Sequence, residues 1–159
     1  MNPEKLLQNL VQIYSPSGQE KKLTNFILNF CKQNNIPAKL LHGNVVICFK
    51  GKNKNKCIIF NAHMDTIEGS SLERKIFDGK LYGLGASDNK GAIAAMLLLA
   101  KSLQNSPLDV WFTFVCNEET DGLGTQNFLR WFKKTKYFKQ YDSMRKFLRL
   151  LENRLIFLL

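Results

Sequence analysis

The chain has 159 residues, 45% hydrophobic and 23% charged, the size of one ordinary domain with enough apolar side chain to bury a core; this excludes a disordered protein. The net charge of +10 is concentrated in the tail, where residues 130–159 hold nine Lys and Arg against two Asp and Glu, so the rest of the chain carries no nucleic-acid footprint. No run of about 18 apolar residues occurs and Met1–Leu10 lacks the apolar stretch of a signal peptide, so the sequence predicts a soluble cytoplasmic protein with no membrane or nucleic-acid partner.

Asn2 before Pro3 is an N-cap followed by a first-turn proline, and Leu6, Leu7, Leu10, Val11 and Tyr14 recur at helical spacing, predicting a helix over residues 3–13. Ser15-Pro16-Ser17-Gly18 breaks it. Ser17 and Glu20, three apart, read as a capping box for a second helix with the face Leu23, Phe26, Ile27, Phe30 and Cys31, ending near Asn34-Asn35. Pro37 then opens an extended segment. Leu40-Leu41 and residues 45–49 flank His42-Gly43-Asn44, which makes His42 a turn residue.

Residues 51–56 read as a polar loop, and Cys57-Ile58-Ile59-Phe60 as a strand buried on both faces. His63 comes just past its end, where ligands bind in open α/β sheets. A ligating imidazole needs its other ring nitrogen held, and Asp65 can do that holding. A lone His-x-Asp also arises by chance. Asp78-Gly79 between Ile76-Phe77 and Leu81-Tyr82 is a hairpin signal, after which Gly83-x-Gly85 delivers Ser87-Asp88 to a buried helix over residues 92–103. Asp88 is read as a site carboxylate or as the cap of that helix. Neither Gly-x-x-x-x-Gly-Lys-Ser/Thr nor Gly-x-Gly-x-x-Gly occurs, so the nucleotide reading is discarded.

Residues 110–116 form a second buried-type strand ending at Glu118-Glu119, and residues 122–132 another helix with Phe128, Leu129 and Phe132 on its apolar face. Strand, buried helix and strand make a βαβ crossover, which puts His63 and the Glu pair at one rim. Two carboxylates there suit a cation or proton transfer; a solvated pair is the alternative. Cys31, Cys48, Cys57 and Cys116 are scattered without CxxC spacing and read as reduced core thiols.

His63-Met64-Asp65-Thr66, residues 78–91 and Glu118-Glu119, in this order and spacing, resemble the acetylornithine deacetylase and succinyl-diaminopimelate desuccinylase family of zinc amidohydrolases, family twenty of the metallopeptidases. The likeness covers residues 3 to about 135. It implies the N-terminal portion, residues 1–140, of an α/β catalytic domain with a partly parallel sheet flanked by helices. It also implies two Zn2+ per complete site, with Co2+ or Mn2+ fitting the same ligands. By carry-over His63 binds one metal and Asp65 orients it; Asp88 bridges both and Glu119 binds the other, with Glu118 as general base. A cis peptide after Asp88 belongs to the same pattern. The His-Met-Asp-Thr form favours N-acyl amino acids of arginine or lysine biosynthesis, or small peptides, as substrates.

Family members continue with a dimerisation domain, often forming homodimers, and with a further carboxylate ligand in a Glu-Pro context. Residues 141–148 lack that motif, and Asp142 and Glu152 are the only acids from residue 130 to 159. Residues 141–159 read as a divergent basic and apolar tail able to form an amphipathic helix. Two functional classes follow: a metal-dependent amide hydrolase, or a truncated or frame-shifted remnant acting at most as a metal-binding interaction module.

Overall fold

The computed structural model describes residues 2–69 and 75–140, so the predicted tail lies outside the described residues. Helix α1 (Pro3–Gln12) starts as its sequence dictates, with the Asn2 side chain accepting the Glu4 N–H at 2.8 Å and Pro3 in the first turn. It buries Leu6, Leu10 and Val11. Helix α2 (Lys21–Gln33) buries Leu23, Thr24, Ile27, Phe30 and Cys31. Its start corrects the capping-box reading: Glu20 holds the N-cap position without a side-chain cap bond. The Ser17 hydroxyl instead donates to Asp65, and the Glu20 carboxylate accepts from the Asn117 N–H. Exposed helix-end amides can bond water, whereas a buried carboxylate and a strand-end amide have no such recourse.

A hairpin follows, β1 (Ala38–Leu41) and β2 (Asn44–Phe49), with His42 and Gly43 both at positive φ in the two-residue turn. Asn44 belongs to β2 and is buried. Strand β3 (Asn53–His63) starts earlier than the polar residues 53–56 suggest. Asn53 bonds to Pro107 and pairs with Leu108, and the register shifts before Cys57 pairs with Asp109. Among the described residues β3 lies at the sheet edge, where polar side chains are tolerated.

The short hairpin β4 (Lys75–Phe77) and β5 (Lys80–Tyr82) turns through Asp78 and Gly79, both at positive φ, as predicted. Then come α3 (Gly91–Ser102), β6 (Leu108–Val115), α4 (Leu123–Lys134) and α5 (Lys136–Gln140), the last of which the sequence reading did not anticipate. The four-stranded sheet has the order β1-β2-β6-β3, antiparallel at the first two junctions and parallel at β6–β3. This is the partly parallel α/β sheet flanked by helices.

Strand β6 explains the layering. Val110, Phe112 and Phe114 join the core formed with α1, α2 and α3, while Trp111 joins Phe128 and Phe132 on the other face. Both faces of an unbroken apolar run are thereby covered. Among the described residues no helix is long and apolar enough to cross a membrane. All four cysteines are free, with Cys31 and Cys116 buried, and burial pushes the Cys31 thiol up to about 12.

Gly124 fixes the distance between α4 and the end of β6. A Cβ there would fall 2.1 Å from the Cys116 carbonyl oxygen and 2.6 Å from its nitrogen. Gly124→Ala pushes backbone against backbone, and we expect a loss of about 3 kcal/mol in a urea unfolding measurement. An unchanged midpoint would show that α4 can back away freely.

Candidate metal centre

The parallel pairing of β3 with β6 sets His63 opposite Val115, and the Met64 N–H donates to the Val115 carbonyl at 2.7 Å. The two strands therefore end at one rim, with His63 the last residue of β3 and Glu118-Glu119 just past β6. Asn117, at a φ of 53°, turns the chain there, and Asn44 supports the turn by accepting the Cys116 N–H at 3.1 Å and donating to the Gly124 carbonyl at 2.8 Å.

Asp65 is fully buried between the two strand ends. Its carboxylate accepts the Glu118 N–H at 3.0 Å on one oxygen, and the Glu119 N–H at 3.0 Å and the Ser17 hydroxyl at 2.7 Å on the other. Burial alone would raise its pKa, but His63, Ser17 and the two amides together hold it well below the usual carboxylate range.

His63 is 7% exposed. The sequence reading gave the Asp65 carboxylate the task of holding its ring, whereas Nδ1 lies 2.9 Å from the Asp65 backbone carbonyl and 3.6 Å from the carboxylate. The carboxylate is engaged by the amides and Ser17, which leaves the carbonyl as the nearer partner. A carbonyl oxygen only accepts, so Nδ1 carries a proton and Nε2 is the ring nitrogen left to face the rim.

Asp88 lies in the loop Ala86–Lys90, and its peptide bond to Asn89 is cis. It does not cap α3, since Lys90 occupies that position; its Oδ1 instead lies 2.9 Å from His63 Nε2, with the side chain 77% exposed. Gly85 makes this approach possible at a φ of 74°, where a Cβ would sit 2.6 Å from the Thr66 methyl. The buried Lys90 ammonium is committed to the Ile13 carbonyl, and burial lowers it to about 8.

One ligand atom each of His63, Glu118 and Glu119 lies within 4.8 Å of the others, with Glu118 exposed and Glu119 half-buried. Asp88 meets this group at His63, which adds a third carboxylate to the imidazole and the two glutamates. That donor set fits a borderline divalent metal such as Zn2+, and Co2+ or Mn2+ would accept the same atoms. His42 stays in the β1–β2 turn and is not among the clustered ligand atoms, and the residues near 141–148 where a further carboxylate was sought lie outside the described residues.

In the metal-free chain the Asp65 carboxylate raises His63 to about 9; burial opposes this and Asp88 reinforces it. A folded pKa above the unfolded one gives stability that is complete below about pH 6.5 and is lost as the pH rises through the folded value. The melting temperature of the metal-free protein should therefore fall from pH 6.5 to 9, and His63→Gln should flatten that slope. An equal slope in the variant would assign it elsewhere.

The chain has relatives. Residues 59–147, more than half of the chain, match the profile of Peptidase family M20/M25/M40, and the chain belongs to that family. A putative [LysW]-lysine/[LysW]-ornithine hydrolase of Pyrococcus furiosus is 34% identical over 122 residues, 76% of this chain and 36% of the relative. The [LysW]-lysine/[LysW]-ornithine hydrolase of Sulfurisphaera tokodaii is 30% identical, over 77% of this chain and 34% of its own length. The chain thus spans about a third of the length of these relatives. Human carnosine dipeptidase 1 shares the fold with a TM-score of 0.71 at 18% identity, covering 88% of this chain and 36% of that one. The Bacillus subtilis YXEP protein, described as a dinuclear metal-binding peptidase, has a TM-score of 0.61 at 19% identity, covering 80% and 38%.

Proposed function

We propose that this chain carries part of the metal site of an amide hydrolase acting on N-acylated or N-aminoacylated lysine or ornithine, with Zn2+ as the metal. The observation that supports the reading is the cluster of His63, Glu118 and Glu119 at the shared rim of two parallel strands, with Asp88 against His63. The hydrolase names carried by the sequence relatives support the substrate class.

In this reading His63, Asp88 and Glu119 would hold the metal. Bound zinc would supply Lewis acidity toward the amide carbonyl and lower the pKa of water. Glu118 takes the proton from the attacking water as the C–O bond forms and passes it to the amine nitrogen as the C–N bond breaks. Asp65 holds the His63 ring and the backbone of both glutamates.

Zinc per chain by elemental analysis, run with hydrolysis of N-acetylornithine and N-acetyl-lysine, tests the reading. Zinc uptake with turnover is the expected result. A chain that binds no zinc sinks it, and zinc without turnover would favour a metal-binding interaction module.

A further inference from the structure

We infer that Ser17 and Glu20, in the loop between α1 and α2, are positioning residues that set the Glu118-Glu119 turn for metal binding. The inference rests on the proposed metal site for its functional half, while its structural half stands on contacts alone. Three successive backbone N–H groups, of Asn117, Glu118 and Glu119, each donate to a carboxylate oxygen, the first to Glu20 at 3.0 Å and the other two to Asp65 at 3.0 Å. Successive amides converging on anions around a residue at positive φ form a defined cradle. Here the anions belong to the protein and come from two distant segments. The side chains of Glu118 and Glu119 are left to reach His63.

Each anion is itself fixed. Glu20 is 7% exposed and so has little water to turn toward. The Asp65 carboxylate could rotate about its own bond, but the Ser17 hydroxyl, 2.7 Å from the oxygen that also takes the Glu119 N–H, sets its plane. The loop that carries both residues is in turn tied to the end of β3. The Ser15 hydroxyl donates to the Met64 carbonyl at 3.0 Å, the Thr66 N–H donates to the Ser15 carbonyl at 2.9 Å, and Pro16 bridges to Thr66. A brace of this kind holds two strand ends at one spacing. Groups that orient metal ligands typically change affinity about 10- to 100-fold when removed.

The test uses amide NMR and zinc titration against a competing chelator on Ser17→Ala, Ser17→Thr, Glu20→Ala and Glu20→Gln. Carboxylate-bonded amides resonate downfield, so Ser17→Ala should move Glu118 and Glu119, and Glu20→Ala should move Asn117. The Thr and Gln variants, which keep the donor and the acceptor, should restore the native signals. Zinc affinity should fall about tenfold or more in the Ala variants and recover in the conservative ones. Unchanged amide signals in both Ala variants, or shifted signals with unchanged affinity, would overturn the inference. A wild-type chain that binds no zinc overturns the metal reading, and the amide signals then still decide whether the loop sets the turn.

Discussion

Asp65→Ala should lose about 3–5 kcal/mol of folding stability, the range for breaking one side of a buried charged contact. Its carboxylate takes the Ser17 hydroxyl and the amides of Glu118 and Glu119, and lies 3.6 Å from His63 Nδ1. Removing it leaves those part-buried donors without their acceptor, which costs more than the bonds themselves contributed. Zinc uptake should vanish in the same variant, because the glutamate backbone loses its anchor. Asp65→Asn keeps one oxygen and should retain part of the stability. Urea unfolding of both variants checks this, and a loss below about 1 kcal/mol for Asp65→Ala would mean that the turn is held by other contacts.

Glu118→Gln should leave zinc uptake intact while lowering amide hydrolysis on the order of 100- to 10,000-fold, the usual contribution of a positioned general base. Gln matches Glu in shape but cannot take the water's proton. Glu119→Gln should instead lower zinc content, since the proposed site counts Glu119 as a ligand. Both glutamates lie within 4.8 Å of His63, and they differ in exposure: Glu118 is exposed and Glu119 half-buried. Zinc loss in Glu118→Gln with turnover lost through metal depletion would exchange the two roles.

The strands around Phe60 and Phe112 and the helix after Gly91 were legible because each is an apolar run of the right length bounded by turn residues. His63 and the Glu pair were legible as candidates because they stand where the two strand runs stop, and Asp88 because it stands just before the helix run. Ser17 and Glu20 were misread for a physical reason. Ser-x-x-Glu before a helix is the local pattern of a capping box, while the partners the two residues use, Asp65 and Asn117, lie 48 and 97 positions away. Nothing in a short window distinguishes the two uses. The same holds for Asn44, whose amide spans to Gly124. The start of β3 was hidden because an edge strand can be polar, and α5 because five residues are too few to show a helical period.

Both tryptophans of the chain, Trp111 in β6 and Trp131 in α4, sit 6.2 Å apart in the aromatic cluster on the sheet face turned away from α1, α2 and α3. The Lys50 ammonium lies 4.7 Å from the Trp111 ring and 3.3 Å from the Tyr137 ring, linking that cluster to α5. Intrinsic fluorescence of this protein is therefore an optical gauge of the α4–α5 layer and has no tryptophan among His63, Asp88, Glu118 and Glu119. An emission change on adding zinc would have to be relayed along β6 from Glu118 to Trp111, so its presence or absence reports how stiffly that strand couples the rim to the layer behind the sheet.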